Sequence, residues 1–351
     1  MPPARTGVAD YSAGLVAELR KTVTVDILPE ADPRYEVSIY QVGNNPLHLP
    51  AYRAALCQPG IVALHDAVLQ HLHLGTLSRE EYIDEFAYNY GEWMRDRARE
   101  LWDSRSRSSA DGVYYQYPLL RRLAERSKAV VVHNPGARRM VEAAVPSAKV
   151  VEIPHYFVPP ALPQETDRTR SRLGLAPQEV VISMFGYLRE SKRIGPALKA
   201  LKAVPAARFL LVGQFVSQEL ERALQPALKS DQIIRFGYVS ESEFWQLAGI
   251  TDICVNLRSP SAGETSGIGI KMMGIGKPVL VTTGPETERY PELSVIRIDP
   301  GEPEAEMLAH YLRALADCRE MRREIGGRAA RHIVEHHTVE KAARMYLDLI
   351  A

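Results

Sequence analysis

The chain has 351 residues, with 43 basic and 43 acidic side chains, no formal net charge when histidine is neutral, and 46% hydrophobic residues. Balanced charge excludes a general attraction to nucleic acid, and the length is enough for two domains of ordinary size. Cys57, Cys254 and Cys318 are too few and too scattered for a disulfide framework or a zinc spacing, and no apolar run approaches the ~18 residues of a membrane-spanning helix.

In chain order, a helix is expected to start near Asp10, after a loop that carries Gly7. Strand-like runs follow at Val23–Leu28, Val37–Val42, Ile61–Leu64 and Ala129–Val132, alternating with helical patterns; this rhythm implies a mostly parallel sheet. From Ser78 to about Ser106 a long polar helical stretch interrupts it. The arginines from Arg95 to Arg107 are interleaved with Glu92, Asp96, Glu100 and Asp103, so the stretch reads as a solvated helix. Pro154, Pro159, Pro160 and Pro163 mark a linker, with the domain boundary near residue 165.

The rhythm restarts with Val180–Phe185, Arg208–Val212, Ile233–Phe236, Ile253–Leu257, Val279–Val281 and Val295–Ile298, and a charged amphipathic helix from about Glu335 to Ile350 closes the chain. The organisation expected is residues 1–165, 166–330 and a terminal helix at 331–351. The N-terminus lacks the basic start and apolar core of a signal peptide, which with the thiol pattern points to the cytoplasm and leaves contact with the inner face of a membrane open.

The most informative segment is SPSAGETSGIGIKMMGIGKP, Ser259 to Pro278, which sets a carboxylate, hydroxyls and a run of glycines between two apolar strand candidates. A helix starting after Glu264, Thr265 and Ser266, at the end of a parallel strand, presents backbone N–H groups to an anion. Gly267 and Gly269 would let a ligand approach the backbone. The segment therefore suits a phosphorylated, hydroxyl-rich ligand.

With PPARTGVADYSAGLVAEL at the start, PGIVALHDAVLQH from Pro59, VVVHN, EIPHYF, FGYLRESKR, FLLVGQF, FGYVSESEF and GETSG in one order, the chain resembles the family 4 glycosyltransferases. The resemblance implies an α/β fold of GT-B architecture, with two Rossmann-like domains facing across a cleft and a C-terminal helix returning to the first domain. It implies a retaining transfer of a hexose-type sugar from a nucleotide diphosphate-sugar to a hydroxyl of a glycan, lipid-linked or small-molecule acceptor, as in surface polysaccharide or natural-product synthesis. No nucleic acid and no bound metal are implied. Family members carry a strand ahead of the Gly7 loop, so the expectation is either a sequence that begins downstream of the usual start, the favoured reading, or a first sheet without its opening strand.

The resemblance assigns catalytic roles to Glu264 and Lys192, and the placement of His65 at a strand end adds it as the acceptor-side proton carrier. Gly7, Gly186, Arg189, Arg193, Gly213, Tyr238, Val239, Thr265, Ser266, Gly267 and Ile268 are donor-side candidates, with Gln214 on the same rim. Asp66, Asn44, Asn45 and His48 are acceptor-side candidates, while His71, His73, His133 and His155 look structural or peripheral. Two departures stand out. Tyr187 replaces the family's arginine after the strand glycine, and the family's second glutamate falls on Lys271 or Met272, neither of which can accept paired hydrogen bonds from a ribose diol. A non-catalytic binding or partner subunit on the same fold is therefore the alternative. A nicotinamide-dependent oxidoreductase is disfavoured because no strand leads into G-x-G-x-x-G, and a sugar-nucleotide epimerase is a more distant reading.

Overall fold

The computed structural model describes residues 7–160 and 165–351; residues 2–6 of the first motif and Pro163 of the expected linker lie outside the described residues. Helix α1 (Gly7–Leu19) precedes four parallel strands, β1 (Ile39–Val42), β2 (Ile61–Leu64), β3 (Ala129–Val132) and β4 (Val150–Glu152), which stand side by side in chain order. The register sets Val42 beside Leu64 and Val62 beside Val130. Sequential strands with right-handed crossovers send their connecting helices to one face. There α2 (Leu49–Cys57), α3 (Gln70–Leu74), α6 (Arg121–Arg126) and α7 (Pro135–Ala144) pack on Val42, Val62, Leu64, Val130 and Val132. Outside them lie α4 (Arg79–Tyr90) and α5 (Arg95–Asp103).

The second sheet follows α8 (Thr166–Arg172) and contains β5 (Val181–Phe185), β6 (Arg208–Val212), β7 (Ile233–Phe236), β8 (Ile253–Asn256), β9 (Val279–Thr282) and β10 (Ile296–Ile298). All are parallel, in the order β7-β6-β5-β8-β9-β10, which is the doubly wound Rossmann order with its reversal between β5 and β8. Alternate residues face opposite sides. Ile182, Met184, Phe209, Leu211 and Val255 meet α9 (Ile194–Leu201) and α13 (Glu304–Asp317), with α10 (Gln218–Leu228) at the margin. Val181, Leu210, Val212, Cys254 and Val279 meet α11 (Glu241–Ile250), α12 (Gly267–Gly274) and α14 (Arg319–His336).

The last helix, α15 (Val339–Ile350), returns to the first domain. Its Ala342, Ala343 and Tyr346 join Tyr11, Leu15 and Leu19 of α1 over Ile61, Ala63, Ala129 and Val131, covering the sheet face that the crossovers leave open. At the crossing point the Phe157 N–H donates to the His337 carbonyl and His337 Nδ1–H to the His155 carbonyl, both at 2.7 Å, so the two segments that join the domains are bonded to each other.

Four expectations need correction. Val23–Leu28 forms no strand: Val23, Ile27 and Leu28 are exposed, only Val25 packs partly against the core, and the Arg20 guanidinium takes the Val25 carbonyl that a ladder would need. Val150–Glu152, not among the expected strands, pairs with β3. The polar stretch from Ser78 is two helices parted by Gly91 at φ 99°, and Tyr82, Phe86, Ala98, Leu101, Tyr114 and Leu119 give it a core of its own, so only its outer face is solvated. The terminal helix begins at Val339, where Thr338 Oγ1 caps it by accepting the Lys341 N–H, rather than at Glu335.

Candidate functional site

β5 and β8 pair at Ile182–Ile253 and Ser183–Cys254 and then diverge, opening a crevice beyond their carboxyl ends. Gly186 (φ 90°) and Gly213 (φ 146°) turn the chain after β5 and β6; a Cβ on Gly213 would lie 2.1 Å from the Gly186 carbonyl oxygen, so the two turns can touch only because this position is glycine. A single 3-10 turn, Glu190–Lys192, then carries Lys192 inward until its side chain is only 5% exposed. Its Nζ donates to the Phe185 carbonyl at 2.6 Å and has no ion pair among the described residues. Burial, then the neighbouring Arg258 and Arg189 guanidiniums, holds its ammonium well below the usual lysine range. Arg193 takes no part here: at φ 59° it turns away and forks onto the buried Glu304 carboxylate at 2.6–3.0 Å.

On the other wall, Arg258 follows β8 and its Nε lies 3.1 Å from Glu264 Oε1. The second oxygen, Oε2, accepts the Ala262 N–H at 2.8 Å and the Ser261 hydroxyl at 3.3 Å. Ser266 starts α12: its Oγ accepts the Gly269 N–H at 3.2 Å and donates to Asn256 Oδ1 at 3.0 Å, which fixes the first helical turn beside Glu264. Gly267 and Ile268 are the first residues of that turn. Arg258, the cation nearest Glu264, escaped the sequence reading; a basic residue directly after a sheet strand was the available signal.

His65 and Asp66 sit at the end of β2, across the crevice. His65 Nε2 donates to Gln41 Oε1 at 2.7 Å, and burial, then His133 and His155, lowers its pKa well below the usual value, so it is a weak base. Asp66 is the better proton acceptor. Burial, then the Glu264 carboxylate, raises its carboxyl to about 6 against the opposing Asn44 N–H, Arg189 and Arg258. Asn44 and Asn45 are occupied: Asn44 Oδ1 accepts the His71 and Leu72 N–H groups in the first turn of α3, and Asn45 Oδ1 accepts the Leu47 N–H in a local turn. His48 Nδ1 donates to the Gln41 carbonyl beside them.

Two histidines dismissed on sequence lie in the crevice wall. The His133 ring centroid is 5.0 Å from those of both His65 and Tyr11, and His155 Nε2 lies 3.4 Å from where a Cβ on Gly267 would be. Only the fold brings them there. Gly7 is the first described residue and stands in α1, with nothing among the described residues within 4 Å of its Cβ position. Tyr238 is half exposed on the turn after β7, with Val239 packed against the core, and Arg189 lies 5.7 Å from the Tyr187 ring. Met272 is fully buried and the Lys271 ammonium lies 5.3–5.5 Å over Phe244 and Trp245, so no carboxylate stands at the second-glutamate position. Among the described residues no group of three His, Cys, Asp or Glu side chains could hold a metal ion, and no helix is long and apolar enough to cross a membrane.

A cavity of about 230 Å³ opens on the β9 side of Glu264, lined by Arg258, Ser259, Thr265, Thr283, Glu286 and Tyr290 among others. Glu264 thus faces Lys192 and the cations on one flank and a hydroxyl-rich hollow on the other.

Residues 189–348, which include Lys192, Glu264 and α12 but not His65, match a family model described as Glycosyl transferase-like. Among solved structures, sucrose-phosphate synthase from Thermosynechococcus elongatus superposes with a TM-score of 0.63 over 90% of this chain and 73% of that one, at 15% identity. WaaG, a glycosyltransferase involved in lipopolysaccharide biosynthesis, gives 0.62 over 97% and 95%, at 13% identity. The fold is GT-B. Anabaena HepE, solved in complex with UDP-glucose, gives 0.63 over 88% of this chain and 77% of its own, at 16% identity. No curated protein sequence matches the chain. In this GT-B fold Glu264, Lys192 and α12 belong to the C-terminal domain, and His65 and Asp66 face them from the N-terminal one.

Proposed function

We propose that the chain is a retaining, family 4-like glycosyltransferase that moves a hexose-type sugar from a nucleotide diphosphate-sugar to an acceptor hydroxyl. One observation carries this reading: Lys192 is buried without an anionic partner among the described residues, near Arg189 and Arg258 and beside the first turn of α12. A buried ammonium held by one carbonyl calls for an anion, and a departing diphosphate supplies it where negative charge develops in the reaction. The three cations do the work that a metal does elsewhere, which supports catalysis without one. Glu264, already oriented by Arg258 and Ala262, is placed to accept hydroxyls of the transferred sugar, and the hollow beyond it offers room for the ring. Asp66, titrating near 6, is the group suited to take the acceptor proton. A glycan, lipid-linked or natural-product acceptor fits, reached in the cytoplasm or at the inner face of a membrane.

The second reading, a non-catalytic GT-B subunit, draws on the burial of Met272 and the engagement of Lys271 with Phe244 and Trp245, which leave the nucleoside ribose without its usual carboxylate. Calorimetric titration of the protein with UDP, GDP, ADP and their glucose conjugates separates the two. Binding that weakens in Lys192→Ala, with transfer or hydrolysis of the sugar, supports the transferase; a folded protein that binds none of them supports the subunit.

A further inference from the structure

Two segments of the second domain, 262–265 and 285–289, meet the first domain, and the uncharged hydrogen bonds fall on the 262–265 loop. Ala67, directly after His65 and Asp66, donates its N–H to the Ala262 carbonyl at 2.7 Å. Asn134, 3% exposed at the end of the VVVHN motif, donates Nδ2–H to the Gly263 carbonyl at 2.9 Å and to Thr265 Oγ1 at 3.0 Å. Its other terminus is fixed within the first domain, where Oδ1 accepts the Ala137 N–H at 2.8 Å and caps α7. Three hydrogen bonds from the N-terminal domain therefore fall on the residues that precede and follow Glu264.

The fit depends on small residues. Gly263 sits at φ 74°, and a Cβ there would lie 2.8 Å from Ala67 Cβ and 3.2 Å from Met140 Sδ; a Cβ on Gly136 would lie 3.1 Å from Pro285 Cβ. At the rim, the Arg139–Glu288 and Arg289–Glu152 pairs are solvent-screened and add little. Water can replace each bond of the clasp when the cleft opens, so the contact biases the closed form without locking it.

We propose that Asn134 is a positioning residue that clasps the Glu264 loop as the domains close and thereby sets the carboxylate for the donor sugar. The consequence for turnover rests on the transferase reading; the clasp itself does not. Because Asn134 also caps α7, the test must spare the cap. Asn134→Asp and Asn134→Ser both keep an oxygen acceptor for the Ala137 N–H while removing the Nδ2 amide that makes both cross-domain bonds.

Spin labels at the exposed positions 53 and 219, one in each domain, in a background with Cys57 and Cys318 changed to serine, report the inter-domain distance. The expected result is a shift of both variants toward longer, broader distances with an unchanged melting temperature. With UDP-glucose as the donor probe, kcat is expected to fall ~10-fold or more while UDP affinity holds within about 2-fold, since the cations lie on the other domain and a misplaced group costs rate before binding. Distances identical to those of the parent protein in both variants would overturn the clasp. Shifted distances with unchanged kcat would overturn the positioning of Glu264. Failure of the unmutated protein to bind any nucleotide would sink the transferase reading alone, with the distances still deciding the clasp.

Discussion

Lys192 shows how one buried charge links stability to binding in opposite senses. Its ammonium is desolvated with a single carbonyl acceptor, a state that costs free energy until an anion arrives. Lys192→Met is therefore expected to raise the melting temperature of the ligand-free protein while weakening UDP binding at least ~10-fold, as the loss of a charged hydrogen bond implies; calorimetry and thermal melts read both. UDP affinity should also fall as pH rises through the depressed Lys192 pKa, because only the ammonium pairs with phosphate. Asp66 has the other sign. Its carboxyl binds protons more tightly folded than unfolded, so its contribution is fully present below about 4 and is lost as pH rises through about 6. Asp66→Asn should gain on the order of 1 kcal/mol at neutral pH and lose that slope, as measured by urea unfolding at pH 4, 6 and 7.5.

At the scale of elements, the loop-to-helix passage from β8 to α12 is held by backbone proximity as much as by side chains. α14 crosses behind it with Gly326 so close that a Cβ there would lie 1.9 Å from the Gly276 carbonyl oxygen, and that oxygen belongs to backbone that cannot swing aside. Gly326→Ala should cost about 2–4 kcal/mol, measured by denaturant midpoint, although the position is far from the crevice mouth. The β-strands that frame the site were legible in the sequence because each is a short apolar run between turn signals. Val23–Leu28 has the same pattern and forms no strand, since Arg20 claims its backbone carbonyl. Local pattern says what a segment can do, and its neighbours decide whether it does so.

Over the whole molecule, buried histidines govern acid tolerance. His133 and His337 titrate at about 4 and His73 and His155 at about 3, each lowered chiefly by burial. His73 and His133 also bury an Nε2 that has no hydrogen-bond partner among the described residues. Charging any of them inside the fold would leave a buried cation. Their contribution is present above about 6.5 and is lost as pH falls toward 4, so the free energy of unfolding should fall in that window by up to ~1.4 kcal/mol per group per pH unit, and the melting temperature with it. A melting curve that stays flat from pH 7 to 4.5 would contradict this. Three of these rings, those of His133, His155 and His337, sit in the crevice wall or at the crossing between domains, so acid should disturb the cleft first.

The sequence by itself determined the α/β rhythm of both halves and marked the GETSG loop, because strand runs, glycine turns and helix starts are local and carry their own signals. It also marked Glu264 and Lys192, whose neighbours in the chain make up their motifs. Only the tertiary structure decided that Arg193 serves Glu304 and that Asn44 caps a turn, since each side chain answers to a partner distant in sequence. The tertiary structure alone also showed that Asp66 outranks His65 as a base, that His133 and His155 enter the wall, and that Asn134 grips the opposite domain. Burial, pKa and contact across a cleft are properties of packing, and packing is set by residues that no local pattern brings together.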